Sequence, residues 1–255
     1  MKLSIDTTEN TMVCQENGEQ REMPLYSKEA FAHLSRLWVN VGWDLKYSYG
    51  FTWMGRPIIQ LPEDIVRIQE TIYRVRPDVV IETGVAHGGS LLLYASVLRA
   101  MGQGRVIGVD IEIRAKNRAA IEGHELSDII ALVEGSSVEP AVVANVQSHL
   151  RPGERVLVIL DSNHTKAHVA GELEVYSPLV SVDSYIVATD GIMQDLHDVP
   201  RGRPTWREDN PQVAAREFAR THPDFALEAP PFLFSEATTM QQVTHWPGAY
   251  LRRLR

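Results

Sequence analysis

Between residues 79 and 188 the apolar positions gather into five short, β-branched runs, each separated from the next by a stretch with helical spacing. The runs are Val79–Ile81, Val106–Val109, Ile129–Val133, Val156–Leu160 and Ser184–Ala188. Helical stretches begin at Ser90, Ala115, Val138 and Ala167, and Gly102 stops the first of them. Strands alternating with helices predict parallel βαβ units, hence a doubly wound, mostly parallel α/β sheet covered on both faces. Ahead of this block, the polar stretch to Tyr26 predicts an irregular arm or a pair of short strands. Ser27 is an N-cap residue for a helix whose apolar positions are Phe31, Leu34, Leu37 and Trp38. Gly50, Gly55 and Pro57 make the aromatic stretch from Trp43 to Trp53 a folded loop. Pro62 opens a further helix with Ile65, Ile68, Ile72 and Val75 on one face. Behind the block come a helix from Pro211 to Thr221 and two strand-like runs, Phe232–Phe234 and Val243–Trp246. These two predict a C-terminal hairpin, an antiparallel edge on the parallel sheet. The resulting division is an N-terminal arm and helical cap over residues 1–60 and an α/β domain over 61–255.

Charge and composition narrow the class. The 255 residues carry a formal charge of −8, which disfavours binding phosphate backbones through bulk electrostatics and argues against a nucleic-acid partner. Apolar residues make up 44% and charged residues 23%, which places the chain among folded domains rather than disordered ones. The single Cys14 can form no internal disulfide and no cysteine-rich zinc site, which fits a reducing cytoplasm. The opening MKLSIDTTENT has no signal-peptide core, and no run of apolar residues is long enough for a membrane span.

Four of the strands end in an acid: Glu82, Asp110, Asp161 and Asp190. Parallel strands bring these ends to one edge, where ligands of doubly wound sheets bind. One such acid reads as a helix cap, whereas four in register read as a site. The loop Glu82-Thr83-Gly84-Val85-Ala86-His87-Gly88-Gly89-Ser90 lets a ligand approach the backbone at a helix N-terminus. It lacks the G-x-G-x-x-G spacing of dinucleotide folds. Asp110 stands where an acid accepts from ribose hydroxyls, so nucleoside binding competes here with simple tight packing of the glycines.

These residues resemble a known family. Ile81-Glu82-Thr83-Gly84, Gly88-Gly89-Ser90, Gly108-Val109-Asp110, Glu134-Gly135-Ser136-Ser137 and Leu160-Asp161-Ser162-Asn163-His164-Thr165 look like the cephalosporin hydroxylase-like family, as does the ending from Trp246 to Leu251. Its members are class I S-adenosylmethionine-dependent O-methyltransferases and include rhamnosyl O-methyltransferases. The resemblance implies that Glu82, Gly84 and Ser90 lie near the methionine part of S-adenosyl-L-methionine, Asp110 at the ribose, and Ser136 or Ser137 near the adenine. It also implies a divalent metal, magnesium in relatives, on Asp161 and Asp190, whose hard oxygens suit that ion. Relatives carry a further acid or amide beside the second Asp; here Thr189 and Gly191 flank it, leaving Asn163, Asp195 or water as the third ligand. His164, three residues after Asp161, is a candidate general base, with a helix-capping or metal-ordering role as its counter-reading. His87 reads as a loop residue touching cofactor and His168 as helix surface. The aromatic stretch reads as an anchor, Tyr47 and Tyr49 being the best placed to meet a ligand. The polar segment from Gln194 to Trp206 fits a substrate lid.

The function implied is methyl transfer to a hydroxyl of a small molecule such as a sugar or glycosylated natural product, by a homo-oligomer. A nicotinamide-dependent oxidoreductase, a noncatalytic cofactor-binding subunit and an iron hydroxylase are the competing classes. The missing glycine fingerprint opposes the first, retention of Asp161, His164 and Asp190 the second, and the lack of a readable two-histidine-plus-carboxylate triad the third.

Overall fold

The computed structural model describes residues 1–16, 18–234 and 236–255. The arm is a three-stranded antiparallel sheet, β1 (Lys2–Asp6), β2 (Thr11–Glu16) and β3 (Glu19–Pro24), rather than an irregular segment or a pair of strands. Its alternation turns Met12, Cys14 and Met23 inward, where Ala30 covers them. Ala30 belongs to α1 (Lys28–Asp44), whose first turn is capped by Ser27 Oγ accepting from the Ala30 amide at 3.1 Å. The aromatic stretch folds into a 3₁₀ turn and a small hairpin, β4 (Phe51–Trp53) and β5 (Arg56–Ile58). It anchors as expected: Tyr47 meets Trp38 and Phe51 edge-on, and Trp53 Nε1 donates to Ser96 Oγ at 3.0 Å.

The main unit runs α2 (Pro62–Val75), β6 (Val79–Thr83), α3 (Gly89–Met101), β7 (Arg105–Asp110), α4 (Ala115–Glu122), β8 (Ile130–Glu134), α5 (Pro140–Ser148), β9 (Val156–Leu160), α6 (Lys166–Tyr176), β10 (Tyr185–Ala188), α7 (Pro211–Thr221), β11 (Phe225–Leu227) and β12 (Tyr250–Arg253). The strands form one seven-stranded sheet in the order β11-β12-β10-β9-β6-β7-β8. β6 to β10 are parallel, all but the edge strand β8 fully or largely buried, whereas β12 runs antiparallel to both β10 and β11. Two apolar clusters cover the two faces, one around Ile68, Leu92 and Leu157, the other around Val79, Val158 and Leu173.

The antiparallel edge is present, but the hairpin residues differ from those expected. Phe232–Phe234 and Val243–Trp246 are not strands; β11 and β12 are. Pro230 and Pro231 remove two ladder donors just before Phe232, whose ring instead lies under the Arg67 guanidinium at 4.3 Å. The backbone of 244–246 is spent elsewhere, because the His245 amide donates to the buried Asp64 and its carbonyl accepts from Ile192. The segment 194–206 is likewise fastened rather than free. Leu196 is fully buried, the Arg201 amide donates to Asp44 Oδ1 at 2.9 Å, and Trp206 packs edge-on against Trp43.

Candidate active site

β6 is where the strand order reverses: the chain steps outward through β7 and β8, then returns to β9 on the other side. Ligands of open α/β sheets bind outside the strand ends at such a switch point. Gly84, the residue after β6, has φ +94°, and a Cβ there would lie 2.0 Å from the carbonyl oxygen of Asp161. Only glycine allows the loops after β6 and β9 to approach this closely. Gly84→Ala should therefore combine left-handed strain with a backbone clash, roughly 3 kcal/mol or more. In a thermal melt that is a fall of about 6–12 °C for a chain of this size.

A cleft opens above this contact, lined by Tyr49, Ile58, Gly84, Val85, His87 and Ser90 on one side and by Asp161, His164 and Asp190 on the other. Glu82 lies beneath it, fully buried, accepting from Ser90 Oγ at 2.6 Å and Tyr94 Oη at 2.9 Å. Burial, with the Asp161 charge added, pushes the Glu82 carboxyl well above its usual range, so the acid supports the loop from below. Tyr94 was not singled out by sequence, although its i+4 spacing from Ser90 puts both hydroxyls on one helix face. Asp110 Oδ2 accepts from the amides of Val85 and Ala86 at 2.8 and 3.1 Å, and Oδ1 from Glu112 at 3.2 Å. Arg56 and Asn117 clamp the same loop: Arg56 Nε donates to the His87 carbonyl and Asn117 Nδ2 to that of Ala86. Beyond Asp110, Ile111 is 75% exposed, an apolar side chain with no packing partner role in the core. Ser136 is half-buried and outside the cleft lining, whereas Ser137 is buried and donates to Glu172 at 2.6 Å.

Asp161, His164 and Asp190 each offer a ligand atom, and these atoms lie within 4.8 Å of one another. His164 Nε2 is 3.4 Å from Asp190 Oδ2. Two carboxylates and an imidazole form a donor set that fits a divalent cation. Burial, reinforced by Asp190 and opposed by His164, raises Asp161 to about 7. Asp190 sits at φ +56°, a left-handed conformation that Asp tolerates better than most residues and that turns its carboxylate toward the cluster. Thr189 Oγ1 lies 2.6 Å from Asp161 Oδ1 and 2.9 Å from the Leu160 carbonyl; its one proton goes to either. The hydroxyl standing beside the second Asp thus orients the first. Neither alternative third ligand joins the cluster. Asn163 Oδ1 caps the Thr165 amide at 2.9 Å, and Asp195 lies against the α1 side of the 191–196 turn.

Two groups outside the expected set support this edge. Asp64 is buried, accepts from Thr244 Oγ1 and the His245 amide, and is raised by burial to about 7. His168, expected on the helix surface, faces inward, with Nε2 at 3.2 Å from both Ser137 and Ser162 Oγ. Its i+4 spacing to Glu172 was the available signal.

Counted from β6, the sheet order is 3-2-1-4-5-7-6, and with the cleft at its switch point the fold is that of class I S-adenosylmethionine-dependent methyltransferases. The Mg–SAM form of CmcI shares it, with a TM-score of 0.55 at 18% identity, over 81% of this chain and 78% of that one. MycE methyltransferase, in complex with Mg and SAH, superposes with a TM-score of 0.50 at 17% identity, over 85% and 54%. The chain belongs to the rhamnosyl O-methyltransferase/CmcI family, whose model matches residues 45–254. Rhamnosyl O-methyltransferase of Mycobacterium tuberculosis is 32% identical over 142 residues, 54% of this chain and 56% of that protein. The Mycobacterium leprae enzyme is 31% identical over 153 residues, 59% and 64%. The match thus spans somewhat more than half the length of these curated relatives. The family resemblance carried by the sequence motifs is borne out.

Proposed function

We propose that the chain is an S-adenosylmethionine-dependent O-methyltransferase acting on a sugar-type hydroxyl with the help of a divalent cation. One observation carries this reading: the glycine loop pinned by Asp110 and the Asp161–His164–Asp190 cluster face a single cleft across the switch point. The loop after β6, which no Cβ could enter, fits the methionine end of the cofactor. Glu82 and Ser90 hold that loop in shape. Asp110 Oδ1 keeps acceptor capacity for ribose hydroxyls, and Ser136 with exposed Ile111 offers a polar and an apolar edge to adenine. Ser137 serves the same wall from behind, through Glu172.

The cofactor, when bound, supplies a methyl group on a positively charged sulfur, already activated for transfer. Asp161 and Asp190 would hold the cation, whose charge would orient a diol and favour loss of a hydroxyl proton. The protein's task is then alignment and proton removal. His164 is the proton acceptor at the cleft. The same nitrogen could instead complete the cation's donor set, a second reading favoured by its place in the cluster. A sugar acceptor is supported by the naming of the mycobacterial relatives as rhamnosyl O-methyltransferases. Exposed Leu37, Trp38 and Val41 on α1, with Leu45 just after it, support assembly into a homo-oligomer. Among the described residues, no helix is long and apolar enough to cross a membrane.

Incubation with methyl-labelled cofactor, magnesium and a panel of glycosides, read by mass spectrometry, tests the proposal through the gain of one methyl group. No methylated product from any sugar would remove the acceptor class. Asp110→Ala should weaken binding of S-adenosylhomocysteine by about 1–3 kcal/mol, roughly 5–150-fold, since buried hydrogen-bond partners lose their acceptor. Calorimetry showing unchanged affinity would take the ribose from Asp110.

A further inference from the structure

Glu172 is 0% exposed, on α6, and belongs neither to the cleft lining nor to the cation cluster. Its Oε1 accepts two hydroxyl hydrogen bonds, from Ser137 at 2.6 Å and from Ser162 at 2.7 Å. His168, one turn earlier on the same helix, places Nε2 3.2 Å from each of those hydroxyl oxygens and 3.4 Å from Glu172 Oε1. The proton arrangement that satisfies the group has both serine protons directed at the carboxylate, leaving a serine oxygen to accept from His168. The other carboxylate oxygen, Oε2, is buried with no hydrogen-bond partner among the described residues. A carboxylate in such a place carries a desolvation cost that an apolar side chain would avoid. Packing of α6 does not require it, because Val169, Leu173 and Tyr176 already fill the apolar contact with the sheet.

The two serines belong to different loops. Ser137 lies in the turn after β8, next to Ser136, the residue assigned above to the adenine. Ser162 directly follows Asp161 at the cation end, and its Cα is 3.0 Å from the point a Gly84 Cβ would occupy. One buried oxygen therefore ties together the backbone segments that shape both ends. We propose that Glu172, braced by His168, is a positioning residue that sets the β8–α5 and β9–α6 loops in register, so that the cofactor end and the cation end of the cleft are placed together. It touches neither ligand; it acts through Ser137 on the first loop and through Ser162 on the second. The proposal rests on the methyltransferase reading above.

Calorimetry with S-adenosylhomocysteine and, separately, with magnesium tests it on the full chain, alongside thermal melts. Glu172→Gln should weaken magnesium binding roughly 10–100-fold, the usual effect of losing a partner behind a metal ligand. Its affinity for S-adenosylhomocysteine should fall about tenfold. Ser137→Ala should lower the S-adenosylhomocysteine affinity alone and Ser162→Ala the magnesium affinity alone, with the double serine variant reproducing both losses. These serine variants keep the test decisive if Glu172→Gln does not fold. A Glu172→Gln protein that binds both probes as wild type does, or that only melts earlier, would overturn the proposal. So would serine variants that each weaken both probes equally, since the loops would then not be held separately. Wild-type protein that bound neither probe would overturn the methyltransferase reading, and this proposal with it.

Discussion

Replacing His164 with glutamine lowers kcat by roughly 10²–10⁴-fold, the contribution of a positioned acid–base group. His164 Nε2 lies 3.4 Å from the Asp190 carboxylate and lines the same cleft, which is what motivates the proposed role as proton acceptor. Glutamine keeps the size and a hydrogen-bonding end but accepts no proton near neutral pH. Affinity for S-adenosylhomocysteine should stay near wild type, because the proposed cofactor contacts are made by Asp110 and the glycine loop. The two readings of the residue separate in one further measurement. If His164 is the base, magnesium affinity survives in the variant while kcat falls. If it is a ligand, magnesium affinity falls together with kcat. A His164→Gln protein with wild-type kcat and wild-type magnesium affinity would remove both roles.

Asp161→Asn is expected to cost turnover about 10²-fold or more, because a bound cation contributes several kcal/mol of charge stabilisation in such reactions. The pH dependence makes the assignment specific. Burial and Asp190 raise Asp161 to about 7, so in the cation-free protein its carboxyl must give up a proton before a cation can bind. Magnesium affinity should therefore be weak near pH 6 and rise through about 7, where each binding event in the wild type also releases protons. The stability signs follow. A folded-state value above the unfolded one means that Asp161 contributes stability fully below about 3.8 and loses that contribution as pH rises through about 7. Asp64, raised to about 7 chiefly by burial, acts in the same direction. The cation-free protein should thus melt earlier as pH rises across this window, and magnesium should restore more of the melting temperature above pH 7 than below it. Asp161→Asn should lose the magnesium-induced shift at every pH. A fully metal-stripped wild type that keeps its rate would show that no cation takes part.

The core of this fold was legible because its five parallel strands are compact β-branched runs, and burial on both faces leaves no polar alternation to confuse them. The acids at their ends were legible for the same reason: once the runs are parallel, Glu82, Asp110, Asp161 and Asp190 must share an edge. What the sequence hides is pairing across distance. The backbone of 243–246 is captured by Asp64, some 180 positions away, and no local pattern distinguishes a captured apolar run from a strand. The true edge strand Phe225–Leu227 is only three residues long, below the length at which periodicity speaks. His168 reads as helix surface because buried charge is rare, and only the two serines from separate loops, which meet it and the buried Glu172, explain its place. Thr189 departs from the family pattern, and its use became visible only with Asp161 at hydrogen-bond distance.

The contact between Gly84 and the Asp161 carbonyl bears on traffic through the cleft. It joins the floors of the two loops, backbone against backbone, so that floor cannot part without breaking the sheet edge. At Gly89 a Cβ would lie 2.2 Å from the Pro57 carbonyl, which closes the flank near the start of α3 just as tightly. The remaining wall is the turn Tyr47–Gly50, where Tyr49 is 56% exposed and held by side-chain contacts with no comparable backbone lock. On the proposed methyltransferase reading, the Tyr49 side is then the part of the rim open to an acceptor.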